Sequence, residues 1–140
     1  MSTTGVQAFD HTISTAIPWI NDISQSLGWD DRDRAYRALR AVLHALRDRL
    51  GILEVTHLGA QLPLILRGMY YDGWHASQTP HKMHLDEFLA QIDRDLFRDE
   101  VDEPEQICRE VFSALRKHVS AGEIEKLKSV LPKDLRDLWT

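Results

Sequence analysis

The sequence predicts an all-α protein, a tandem duplication of a four-helix unit forming one compact helical domain. Three observations carry this. Apolar residues recur at spacings of three and four, and no useful stretch alternates with period two. The string Leu62-Pro63-Leu64-Ile65-Leu66-Arg67 returns 69 residues later as Leu131-Pro132-Lys133-Asp134-Leu135-Arg136. That offset also persists upstream without a gap: between residues 19–70 and 88–139, 15 of 52 positions are identical. The reading divides the chain into a first unit at 1–74, a connecting loop at 75–84 and a second unit at 85–140.

The first helix is expected from Phe9, Ile13, Ile17, Ile20, Ile23 and Leu27, an amphipathic stripe with Trp19 beside it. Pro18 lies inside the stripe and should kink or restart it, because proline lacks an amide donor and clashes with the preceding turn. Phe88, Leu89, Ile92 and Leu96 repeat the stripe without a proline. Asp30-Asp31-Arg32-Asp33, matched by Asp99-Glu100-Val101-Asp102, reads as a cap with an acid three positions on, suited to the positive end of a helix.

The second helix carries Ala35, Leu39, Val42, Leu43, Leu46 and Leu50 on its predicted buried face. Its counterpart carries Ile107, Cys108, Val111, Phe112, Leu115 and Val119, so the single cysteine reads as a small buried hydrophobe. Gly51 and Ser120 open a third helix. Ser120 to Glu123 has the form of a capping box, with Glu54 in the equivalent place. Pro63 and Pro132 sit in the first turn of a short fourth helix, where proline is tolerated.

Composition narrows the class. One cysteine excludes an intramolecular disulfide and a Cys-based zinc cluster. Neither a secretory signal nor an apolar run of roughly 20 residues is visible, so the expectation is a soluble cytoplasmic protein with no membrane partner. A net charge of −5 disfavours nucleic acid, whose phosphates require Lys and Arg. No nucleophile motif, glycine-rich phosphate loop or His-Glu-x-x-His string occurs, and no cofactor is called for.

Candidate site residues fall into three groups. Arg40 and Arg47 recur as Arg109 and Arg116, seven residues apart and on one helix face, with His44 between them towards solvent. They could form an anion-binding strip, or lie over the core edge and pair with a neighbouring helix end. Arg67 and Arg136 are expected to pair with a repeated acid, Asp33/Asp102 or Glu54/Glu123. The second group is what the second unit lacks. His44, His57 and Gln61 become Ser113, Lys126 and Val130, while Tyr71 and Trp74 have no counterpart.

Groups that a repeated fold dispenses with are functional suspects, and aromatic area beside a loop suits a binding hot spot. The alternative for Tyr71 and Trp74 is a seal between the units. The third group is His75, His81, His84 and Asp86, a metal set only if a polar loop makes them converge.

The strings Ala38 to Leu50, His57 to Pro63 and Arg67 to Trp74 resemble the bacterial domain-of-unknown-function family 2267, as do Glu87-Phe88-Leu89, Val111-Phe112 and Leu131 to Trp139. The resemblance spans nearly the whole chain. It implies an all-helical, uncharacterised bacterial protein and supplies no catalytic residues. The expectation is therefore a non-enzymatic protein-interaction or adaptor module whose partner is an unknown protein, with homo-oligomerisation left open. The alternative is a small-ligand or metal-binding protein using His44, His57 and the loop histidines.

Overall fold

Residues 3–96 and 102–140 are described by a computed structural model. They form α1 (Gln7–Leu27), α2 (Arg32–Arg49), α3 (Ile52–Ala60), α4 (Leu64–Tyr71), α5 (Leu85–Asp95), α6 (Pro104–His118), α7 (Ala121–Val130) and α8 (Lys133–Arg136). Short 3-10 turns lie at Ala76–Gln78 and Asp137–Trp139, and there is no strand among the described residues.

Pro18 does not restart α1, which runs unbroken through it. The ring sits on the exposed side, and the carbonyl it leaves without an amide belongs to exposed Ser14. Ala16, Trp19, Ile20 and Ile23 are buried on either side of it. Burying two such large side chains is worth roughly 3–6 kcal/mol, enough to offset the ~3 kcal/mol an interior proline costs. The helix stops at Gly28, whose φ of 69° is the left-handed conformation of a helix C-cap.

The cap of α2 lies one residue later than expected, at Asp31, which accepts from the amides of Asp33 (2.9 Å) and Arg34 (3.3 Å). Asp102, the match of Asp33, does not cap α6, whose N-cap is Glu103. Asp102 instead accepts from the Trp29 indole (3.0 Å) and the Arg34 guanidinium (3.3 Å), and Arg34 also stacks on the Trp29 ring. Asp99, Glu100 and Val101 lie outside the described residues. At α7 only half the capping box forms. Ser120 accepts from the Glu123 amide (3.2 Å), whereas the Ser120 amide donates to Gln61 (2.9 Å) rather than to Glu123.

One apolar cluster draws on α1 through the final turn. Both α1 and α5 pack against α2 and α6, which also pack against each other. The Asp137–Trp139 turn lies on α6 as α4 lies on α2, and α3 meets α7. α2 is the central element: Ala41 to Arg47 are buried without a break, where the sequence predicts a single buried face. The chain beyond α2 supplies the cover. The carbonyls of Met69, Tyr70 and Asp72 bond to α2 side chains, and the His81 amide donates to the Asp48 carbonyl (2.7 Å).

Candidate interaction surface

The predicted anion strip is not a surface. His44 is 6 % exposed, not solvent-facing, and its Nε2 donates to the Met69 carbonyl at 2.7 Å. Burial pushes its imidazole below the ordinary range, favouring the neutral donor this bond requires. Arg47 is 4 % exposed. Its Nη1 donates to the carbonyls of Tyr70 (2.8 Å) and Asp72 (3.0 Å), and its Nε to the Asp48 carboxylate (2.9 Å). Those carbonyls end α4, where a cation also complements the helix dipole. With Arg47 so engaged and His44 buried on a backbone carbonyl, half-buried Arg40 does not share an open strip with either of them.

Arg109 and Arg116 behave alike, donating to the carbonyls of Asp137 (3.0 Å) and Trp139 (2.7 Å). Arg67 and Arg136 do not pair with the repeated acids. Arg67 donates to the carbonyls of Gly59 (2.9 Å) and Leu62 (3.0 Å), and Arg136 to that of Leu131 (3.4 Å). Carbonyls at a helix end have no amide partner within the helix, so a nearby guanidinium fork is their natural donor.

Gln61 and His57 belong to the contact between α3 and α7. Gln61 exchanges two hydrogen bonds with Ser120, its Nε2 donating to the hydroxyl (3.1 Å) and its Oε1 accepting from the amide (2.9 Å). It thereby ties the end of α3 to the start of α7. Half-buried His57 acts on Glu123, which is 7 % exposed. Burial raises the Glu123 carboxyl above its ordinary range and nearby Glu54 adds to that, while His57 and Lys126 oppose it. Cys108 is fully buried, as expected, and burial pushes its thiol up.

Tyr71 and Trp74 are half-buried against the core rather than displayed as a hot spot. Tyr71 packs edge-on to Tyr70, with ring centroids 5.0 Å apart, and lies 5.6 Å from Trp74. Its phenol closes over Gly59 so tightly that a Cβ there would overlap it. Tyr71 thus joins α4 to α3 inside the first half, and Trp74 packs beside it on the shared core. His75, His81, His84 and Asp86 are all exposed, and no group of three or more metal-ligating side chains forms among the described residues. His75 and His81 do line one shallow polar cleft with Asp48. The Asp48 carboxylate is already bonded to Arg47 and, at 3.0 Å, to Gln91.

The surface that stands out carries none of the candidate site residues named above. Phe9 and Ile13, read above as part of a core stripe, are 54 % and 38 % exposed. They line an apolar cleft of about 370 Å³ with Thr4, Thr12, Leu64 and Ile65. Leu64 and Ile65 are 56 % and 51 % exposed, and Val6 is exposed nearby in sequence. The buried Thr12 hydroxyl accepts from the Ile65 amide at 2.9 Å, locking α1 to the first turn of α4 beneath this face. A signal was present in the sequence: 69 residues on, Leu64-Ile65 becomes Lys133-Asp134.

The architecture is that of an all-helical protein with one buried core. Residues 17–138 match the family described as "Uncharacterized conserved protein (DUF2267)", and the chain belongs to that family. No curated protein matches it. No described helix is long and apolar enough to cross a membrane.

Proposed function

We propose that this protein is a non-enzymatic interaction module that engages a protein partner through the apolar face of α1 and α4. One observation carries the reading. Leu64, Ile65 and Gly68 are exposed on α4, whereas the places 69 residues on hold Lys133, Asp134 and Asp137. There Lys133 and Asp137 form an ion pair at 3.0 Å, the ordinary behaviour of a solvated helix face. At the start of α3, exposed Ile52 and Leu53 correspond to Ala121 and Gly122, which are small rather than charged; the charge contrast belongs to α4. A fold accommodates charge at these positions, so the contiguous apolar side chains on α1 and α4 are better explained by contact than by folding.

The same reading includes a tandem duplication, with units that diverged at the surface. Exchanging the two halves maps the packing of α1 on α2 and α6 onto that of α5 on α6 and α2. It also maps the bond from Arg47 to the Tyr70 carbonyl onto that from Arg116 to the Trp139 carbonyl. Both correspondences support a common origin.

The test grafts the second half onto the first, as Leu64→Lys with Ile65→Asp. Because both side chains are exposed, stability in urea should change by less than about 1 kcal/mol. Binding to the partner recovered from source cells by the natural protein should be lost. A variant that folds normally and recovers the same partner would refute the reading.

A further inference from the structure

We infer that the apolar face of α1 and α4 is a weak homodimer interface, taking a second copy of this chain. The inference rests on the interaction reading above and names its partner. Charge is the first argument. The chain carries a net −5, so two copies repel wherever their acidic surfaces meet. Among the described residues, the cleft between α1 and α4 has no charged side chain in its lining, which is Thr4, Phe9, Thr12, Ile13, Leu64 and Ile65.

Its polar groups are also committed within the chain. Thr12 accepts from the Ile65 amide, and Thr4 donates to the Asp10 carboxylate at 3.0 Å. Two copies can therefore meet over the cleft itself without a carboxylate in its lining, the Asp10 carboxylate lying at its edge on Thr4. A partner selected by opposite charge would find nothing in the lining to read.

Shape and area are the second and third arguments. The face holds both a projecting ring, Phe9, and a cleft beside it. A two-fold contact uses the same patch on both subunits, so each Phe9 can enter the other copy's cleft. The exposed apolar surface of Val6, Phe9, Ile13, Leu64 and Ile65 amounts to roughly 400 Å² per copy. A pair would bury about 800 Å² of it plus a polar rim, near the lower limit for specific interfaces. Each chain already has its own continuous core, so the monomer stays folded. The expected dimer is accordingly weak and concentration-dependent.

The decisive measurement is sedimentation velocity of the full chain from about 1 µM to about 500 µM, a range spanning micromolar dissociation constants. The natural protein should pass from a 16.2 kDa monomer towards a dimer. Added salt should leave the transition in place or strengthen it, since no ion pair is broken. Phe9→Asp should weaken association by about tenfold or more. Leu64→Lys should do the same, and serves if Phe9→Asp fails to fold.

A natural protein that remains monomeric throughout overturns the inference, as does a dimer that both variants leave unchanged. A photocrosslinker at position 65, used in source cells, separates this failure from that of the interaction reading. Crosslinks joining two copies support the dimer. Crosslinks only to a different protein overturn the dimer and leave the interaction reading standing. Absence of any crosslinked product overturns both.

Discussion

Arg47→Met removes a guanidinium from the centre of the fold while keeping an unbranched apolar stem. The cost follows from what the guanidinium holds. Two of its bonds go to carbonyls at the end of α4, those of Tyr70 and Asp72, and Tyr70 is itself fully buried. Hydrogen bonds from a charged donor are worth about 1.5–3 kcal/mol each, and a buried acceptor left unpaired adds its desolvation. The third bond, to Asp48, counts for less because that carboxylate is partly exposed and keeps Gln91.

The expected loss is therefore about 3–6 kcal/mol. Arg116→Met supplies an internal comparison. Arg116 bonds to the Trp139 carbonyl at the equivalent place but is itself exposed, with no second carbonyl and no carboxylate partner. Its loss should cost about 1 kcal/mol. Urea unfolding at neutral pH, with unchanged slope, would report both values. Equal costs would refute the argument, because burial and the number of bonds would then not govern the difference. Arg47→Lys should fall between, since a single ammonium cannot reproduce the fork that reaches both carbonyls.

Two further outcomes follow from packing and burial. Gly59→Ala places a methyl group in the space of the Tyr71 phenol and should cost about 1–3 kcal/mol by overpacking. Adding Tyr71→Phe should recover part of that in a double-mutant cycle, and strict additivity would show that the two groups do not collide. For Glu123, burial raises the folded-state carboxyl pKa above the unfolded value of about 4.5. The folded state then binds more protons than the unfolded state, so this group's stabilising contribution is complete below pH about 4.5 and is lost as pH rises through the raised value. Glu123→Gln should flatten that part of the stability–pH profile and stabilise the protein at neutral pH relative to its parent. Melting temperatures measured across acidic to neutral pH would check the sign, and a variant less stable than the parent at neutral pH would contradict it.

The helices were legible because their signals are local: spacing of apolar residues, Gly28 at a helix end, proline at a first turn. Burial around the whole of α2 was not, since it depends on where the chain after α4 returns. That is why helical spacing alone places His44 towards solvent. Its counterpart Ser113 is exposed, so the two halves differ in cover at this place. Gln61 misled in a related way. It bonds to Ser120, a group of the other half, and so has no reason to be repeated. Phe9 and Ile13 failed for the opposite reason. A period of three to four identifies one face of a helix but not whether anything covers it, and the covered part of α1 begins only at Thr12 and Ala16.

The repeated string explains where function can reside. In Leu-Pro-x-x-Leu-Arg, both leucines are buried in both occurrences: Leu62 and Leu66, Leu131 and Leu135. The proline caps the short helix, and the arginine turns back to the carbonyl of the leading leucine, at 3.0 Å for Arg67 and 3.4 Å for Arg136. Each fixed letter thus has a folding task within a few residues of itself, which accounts for its recurrence without any appeal to activity. The two open letters are the ones that fold-level constraints leave free. Lys133-Asp134 has the polarity of a solvated helix, and Asp134 adds a bond to the Leu85 amide at 2.9 Å. Leu64-Ile65 instead exposes two large apolar side chains beside Phe9. More than half of each of these side chains lies open to solvent. The persistence of this apolar pair at a position that accommodates charge in the other half is the strongest physical reason to look for a partner at this face.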